Sequence, residues 1–307
     1  MNWILLVEQV LNGVQLGLLL FLLAAGLTLV FGIMDLVNLA HGSLYMIGAF
    51  IAASLTQLTG SFVAAAILTL PATMLVGMAV EMLCLRTLYD RDHLDQVLAT
   101  FGLILFADDF VQLVWGPAGM DIRLPEFLRT SFEILPGVVY PTYRVAIIVV
   151  GLAVAAFLYF LVARTRIGML IRAGASNREM VGALGVNIRL LFTLIFGLGA
   201  MMAGLAGLMA GPILTVQIGM GNDILILAFV VIVIGGIGSI RGAFVAALIV
   251  GLIDTVGRAF LPEILGLFVG QLAADTAAPS ISSMMSYLLM AVILAFRPEG
   301  LFPPRSG

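Results

Sequence analysis

The sequence predicts an all-α polytopic membrane protein forming one transmembrane domain over residues 1–307, and three observations carry that reading. Hydrophobic residues make up 62% of the chain and charged residues 10%, too little polar surface to coat a soluble domain of this length. Apolar stretches of about 20 residues recur, matching the roughly 30 Å hydrocarbon core of a bilayer. The 14 basic residues are all Arg, the first is Arg86, and most gather in a few short connections, the pattern that marks cytoplasmic loops.

Taken in order, apolar segments run approximately over 10–31, 38–58, 61–84, 96–115, 143–163, 190–211, 224–236, 243–261 and 281–296, giving about 8–9 transmembrane segments. The start, Met1–Asn12, contains Glu8 and no basic region, and the apolar run after it is too long for a cleavable signal peptide. Segments 224–236 and 281–296 are short, as expected of tilted or broken helices buried among neighbours. The connections at 85–95 (Arg86, Arg91) and 164–189 (Arg164, Arg166, Arg172, Arg178, Arg189), with the tail from 297 (Arg297, Arg305), are expected in the cytoplasm. The Pro-bearing stretches 116–142 and 262–280 are then external. Parity through three spans puts the N-terminus outside. The single Cys84 excludes an internal disulfide and fits neither a metal pair nor a redox pair, so a buried neutral thiol is expected. No basic helix or aromatic-basic stripe supports nucleic-acid binding.

A weak internal two-fold repeat is also legible. Ile33–Leu55 reads IMDLVNLAHGSLYMIGAFIAASL, and Val233–Leu252 reads VIGGIGSIRGAFVAALIVGL. In each, an apolar run meets an irregular Gly/Asn/Ser patch, then a basic residue and Gly (His41-Gly42; Arg241-Gly242), then a small-residue run. Paired helix breaks in corresponding halves point to a transport pathway between repeats. The two breaks are expected to face each other about a pseudo-symmetry axis.

Arg164–Arg189 reads RTRIGMLIRAGASNREMVGALGVNIR, too polar to span. Ser176 with Glu179 fits a capping box, and Gly185 after Leu184 fits a left-handed stop. Met180, Val181 and Leu184 between them are expected to form one apolar ridge. Such a short exposed helix suits a groove on another protein, or equally a place on lipid head groups.

The coupling residues Gly168, Arg172, Ala173, Ala183, Gly185, Val186 and Asn187 resemble the cytoplasmic coupling loop of ABC-importer permeases. Asn12–Gly17, Phe31-Gly32-Ile33, Asn38–Gly42, Tyr45–Ala49 and Gly235–Ile240 with Gly242-Ala243 extend the likeness from about residue 10 to the end. Together they resemble the LivH-type permease subunit of branched-chain amino-acid ABC importers. That resemblance implies an ABC importer permease fold in a bacterial inner (plasma) membrane. It implies a second LivM-like permease subunit, two cytoplasmic ATPase subunits and an extracytoplasmic substrate-binding protein as partners, besides membrane lipid. ATP and Mg would be bound by the ATPases, and no cofactor by this chain, which has no GxxxxGK[ST] phosphate loop. The implied cargo is a branched-chain or other hydrophobic amino acid. The chain departs from the family's pattern at Leu18-Leu19-Leu20 and Asp108-Asp109, so urea, short amides or small carboxylates on the same scaffold stay open. An ion-coupled secondary transporter or channel is the alternative of a different class.

Within the apolar runs, ionisable groups cost about 2.5–3.5 kcal/mol to insert. Asp254 and Arg258, four apart with the acid first, are expected to pair structurally near the outer face. Asp108 and Asp109 precede the interface anchor Trp115 by roughly 10 Å of helix rise, a position for partner contact, a polar cavity or outer-leaflet water. Asp35, Asn38, His41 and Ser43 occupy a break that is either an aqueous turn or a mid-membrane discontinuity. In the second case Asn38, His41, Gly42, Ser43, Gly238 and Ser239 would line a translocation pathway. The coupling set is Arg172, Ala173, Ser176, Asn177, Glu179, Met180, Leu184 and Gly185. No catalytic set and no metal site is expected: His93 is the only other His, and His41 with Asp35 lacks a nucleophile.

Overall fold

The computed structural model describes residues 3–89 and 91–302, so Arg305 of the basic tail lies outside the described residues. The element order is α1 (Trp3–Met34), α2 (His41–Thr59), α3 (Phe62–Leu83), a 3-10 turn (Leu85–Leu88), α4 (His93–Trp115), α5 (Glu126–Arg129), β1 (Ser131–Leu135), β2 (Val138–Pro141), α6 (Thr142–Arg164), α7 (Arg166–Ser176), α8 (Arg178–Ala183), α9 (Ile188–Ala210), α10 (Met220–Gly235), α11 (Ile240–Val269) and α12 (Gln271–Phe296). Among the described residues, eight helices are long and apolar enough to cross a membrane, and α10 is shorter.

Helix α1 is the central post. From Gly13 to Met34 it is largely buried, packed by α11, α9, α6 and α10. Small residues allow the close crossings: a Cβ on Gly17 would lie 2.7 Å from the Ala247 carbonyl oxygen of α11, and one on Gly26 would lie 2.6 Å from that of Gly199 in α9. Without a hydrophobic driving force in lipid, such backbone approaches supply the packing attraction between spanning helices.

Local contacts sort the loops into two sides. The bridge between Met120 and Val216 joins 116–141 to 211–219, and Ile4 of α1 lies against Gly137 of the β1–β2 turn. On the opposite side, Val37 donates to Gln96 at the start of α4. There too, Gly32 abuts Gly238, and Gly174 of α7 faces Ile33 and Leu191. The Arg-rich connections 85–92, 165–187 and 297–302 fall on this second side, which is therefore cytoplasmic. The N-terminal end of α1 is external, as parity requires.

Two expectations are corrected. The stretch 262–280 is not an external loop: α11 and α12 run through Pro262 and Pro279 and meet at Gly270, whose φ of 80° makes a sharp corner. The broken backbone hydrogen bonds of those prolines fall toward the outer ends of the helices, where neighbouring groups and water can replace them. Cys84 is exposed rather than buried, because the inward positions at the end of α3 belong to Glu81 and Leu85, both at 0% exposure. The external stretch 116–142 folds a short antiparallel hairpin, β1 with β2. The Asp254–Arg258 pair stands as read, with two hydrogen bonds of 2.8 and 2.9 Å.

Candidate functional site: an intramembrane helix break

Helix α1 continues to the cytoplasmic side, where Asp35 adopts φ 51°, the only non-glycine positive φ among the described residues. The chain then doubles back without helical structure over residues 35–40. The turnback is deep. The His41 Nε2 atom lies 3.2 Å from the carbonyl oxygen of Leu23, and Leu23 precedes Met34 by about three turns, roughly 16 Å of helix. Helix α2 therefore starts near mid-membrane rather than at the surface, beside Gly26 and Gly199. A bulkier residue than Gly26 would push the imidazole away, since its Cβ would stand 3.0 Å from Nε2.

The break carries polar atoms that nothing among the described residues satisfies. Asn38 and His41 are at 0% exposure and Ser43 at 5%. Both amide atoms of Asn38, the Nδ1 of His41 and the Oγ of Ser43 have no hydrogen-bond partner. Native interiors rarely leave such groups unpaired, because each costs about 1–3 kcal/mol. Thr28 of α1 adds another unpartnered hydroxyl. It was not singled out from sequence, although a hydroxyl inside the run Leu22–Phe31 was the available signal.

Gly42 packs on Gly221 at the start of α10, where a Cβ on either would overlap the other's carbonyl oxygen. The second break, Gly236–Ser239, sits at the other end of α10, about 20 Å away along a helix of 16 residues. Gly238 (φ 84°) lies there against Gly32. Ser239 caps α11 by accepting from Gly242 N at 3.1 Å. Leu301 and Phe302 of the tail donate to the Ile234 and Gly235 carbonyls. The expected face-to-face arrangement is thus corrected. Asn38, His41, Gly42 and Ser43 form one group, while Gly238 and Ser239 lie apart from them. The physical reason is the turnback, which carries α2's start inward, whereas α11 restarts within four residues of α10's end.

At the same depth as the outer part of the break, Asp108 of α4 lies beside Asn222 of α10. Asp109, Asn222 and Asp223 are exposed on this chain.

On the cytoplasmic side the polar segment forms two helices, not one. Thr165 caps α7 by accepting from Gly168 N, and Asn177 caps α8 by accepting from Met180 N at 2.8 Å. The Ser176–Glu179 capping box is therefore corrected: Ser176 ends α7, because the amide of Asn177 presents an acceptor one residue later, at the actual start of α8. The stop at Gly185 stands. Gly185 has φ 87° and donates to Gly182 O, while Val186 donates to Val181 O, the paired bonds of a Schellman motif. The single apolar ridge is also corrected. Val181 turns inward at 6% exposure, while Met180 (59%) and Leu184 (77%) point outward, since Met180 and Leu184 are four apart on one helix face and the adjacent residues 180 and 181 do not face the same way. Ser176, Asn177, Glu179 and Gly185 are exposed, Arg172 is exposed and donates to Val162 O, and Ala173 accepts from Asn177 N.

Between these two places lies a buried polar cluster that sequence reasoning did not single out. Glu81, at 0% exposure, accepts from Arg86, Thr193 and Tyr89. Burial, with the bond to Glu81, pushes the Tyr89 phenol well above its ordinary range, and the bond to Glu81 raises the Arg86 guanidinium. Glu81 inside the apolar run 61–84 was its only sequence signal.

Residues 9–294 match the family described as branched-chain amino acid transport system / permease component. The chain is 29% identical to the high-affinity branched-chain amino acid transport system permease protein BraD of Pseudomonas aeruginosa, over 96% of this chain and 94% of that protein. It is 28% identical to the LivH protein of Escherichia coli K12 over the same shares. It is 24% identical to a probable LivH protein of Methanocaldococcus jannaschii, over 92% and 88%. No solved structure matches the chain.

Proposed function

From the premise that this chain belongs to the branched-chain amino acid transport permease family, we propose that it carries branched-chain or other hydrophobic amino acids inward through the break between α1 and α2. It is a multi-pass inner-membrane permease subunit of an ABC importer and not itself an enzyme. The observation that carries the pathway reading is the set of unpartnered polar atoms on Asn38, His41 and Ser43 at mid-membrane depth. A zwitterion loses water at both its charged groups on entering the bilayer and needs dipoles in return. An amide, an imidazole, a hydroxyl and the non-helical backbone of residues 35–40 provide them weakly, which suits a passage that must release its cargo.

The partners proposed with this reading suit other surfaces of the chain. Met180 and Leu184, held outward by the Asn177 cap and the Gly185 stop, suit insertion into a groove of a cytoplasmic ATPase, which binds ATP and Mg and drives alternating access. Two such ATPases and an extracytoplasmic binding protein complete the machine. A second, homologous permease covers Asp109, Asn222 and Asp223, whose exposure at bilayer depth is incompatible with lipid contact. Gly238 and Ser239 belong to the cytoplasmic end of this passage, where the second break meets the end of α1.

The test is reconstitution in vesicles with and without the partner subunits. ATP-dependent uptake of leucine, isoleucine or valine that requires all of them supports the reading. Uptake by this chain alone, driven by an ion gradient, overturns it.

A further inference from the structure

We propose that Gln96 is a positioning residue that holds the intramembrane break to the cytoplasmic coupling segment. It does so through the buried Glu81–Thr193 cluster, so that movement of α8 is transmitted to Asn38 and His41. The inference rests on the importer reading above and deepens it, since nothing in that reading says how the coupling helix reaches the passage.

The connection is continuous. α8 leads through the Gly185 stop directly into α9, whose second turn bears Thr193. The Thr193 hydroxyl donates to Glu81 Oε2 at 2.7 Å and accepts from Arg86 at 2.9 Å. Glu81 also accepts from Arg86 Nε and from Tyr89, both in the segment just after α3. Tyr89 in turn packs edge-on against Phe192 of α9, with ring centroids 5.3 Å apart. The far end of the same segment is held by Gln96, 2% exposed, whose Nε2 donates to the Leu88 and Arg91 carbonyls at 3.2 and 3.1 Å. Gln96 Oε1 then accepts from Val37 N at 3.1 Å, one residue before Asn38.

Two features separate this arrangement from ordinary loop anchoring. The amide of Gln96 ties the segment just before α4, through Leu88 and Arg91, to Val37 far back in the sequence, and has both its donors and its acceptor in use. Its last contact falls on residues 35–40, a non-helical stretch that leads from the cytoplasmic end of α1 to the start of α2 and is entered through the left-handed Asp35. Packed helices move as rigid units, whereas such a non-helical stretch can change its φ and ψ angles to absorb displacement. Buried, fully satisfied polar networks are stiff, so motion at one end of this one is passed along it.

The test uses the complete transporter in vesicles, with ATPases and loaded binding protein. Gln96→Leu keeps size and removes every hydrogen bond of the amide. The expected result is normal assembly and basal ATPase rate, with the stimulation by loaded binding protein and the uptake both reduced by about tenfold, within the usual range of coupling effects. Gln96→Glu retains an acceptor for Val37 but sets carboxylate oxygens against the Leu88 and Arg91 carbonyls, and should uncouple likewise. Thr193→Val should give the same phenotype and Thr193→Ser should restore coupling, which also decides the matter if Gln96→Leu fails to assemble. The double variant Gln96→Leu/Thr193→Val should be no worse than the worse single change, because both cut one connection. Stimulation and uptake that persist in Gln96→Leu or Thr193→Val overturn the proposal, as do losses that multiply in the double variant. Failure of the unmodified complex to couple ATP to uptake would instead defeat the importer reading itself.

Discussion

The imidazole of His41 stands 3.2 Å from the carbonyl oxygen of Leu23, and this one contact fixes the depth of the break. It ties the first residue of α2 to the middle of α1, so residues 35–40 must cross half the bilayer without a helix. His41→Leu should leave insertion intact but free the start of α2. Uptake should fall at least about tenfold, the loss produced by roughly 1.4 kcal/mol in the transport barrier, with little change in the amount of protein in the membrane. Unchanged uptake would remove His41 from the passage.

Cysteines placed singly at 38, 41 and 43 in a Cys84→Ala background report the state of the passage. These positions are buried, so a small water-soluble thiol reagent should label them slowly in the resting transporter. Labelling should quicken when ATP and loaded binding protein are added. Complete labelling indifferent to both would make residues 38–43 an ordinary exposed turn.

Gly42→Ala should be costly, because its Cβ would overlap the Gly221 carbonyl oxygen and backbone must shift to make room. Overpacking of this kind costs about 1–3 kcal/mol, read as a lowered melting temperature in detergent. Gly102→Ala, with nothing near its Cβ position, is the matched control and should melt like the parent.

At the cytoplasmic side, Asn177→Ala should loosen α8 by about 1 kcal/mol, the usual worth of an N-cap. Met180→Asp and Leu184→Asp change only outward positions. They should abolish co-purification of the ATPases while leaving the permease inserted. Glu179→Arg reverses a charge in the first turn of α8, where the helix dipole favours acids, and should depress stimulated ATPase activity and uptake together. Normal activity in all of these variants would leave α8 as a helix resting on lipid head groups.

Asp254→Ala should cost little, within about 1 kcal/mol, since Arg258 is half exposed and can turn to water. A chemical melt of the single and double variants checks this, and a large loss for Asp254→Ala alone would mean the pair is enclosed by a partner subunit.

Hydropathy and Arg placement alone determined the membrane class, the approximate position of every spanning helix and the sidedness of the loops. Those properties depend on the transfer of each segment into lipid, which is a sum over local residues. The break at 35–40, the Gly185 stop and the Asp254–Arg258 pair were legible for the same reason, each being a matter of residues within a turn or two of one another. Depth and grouping were not. That α2 begins beside Leu23, and that Gly42 and Gly238 lie at opposite ends of α10, both follow from which helices approach at Gly26, Gly42 and Gly221. Glu81 and Gln96 read as stray polar residues until α9 and the break were brought against them. Close packing between segments far apart in the chain is decided by shape complementarity over the whole bundle, and only the tertiary structure contains it.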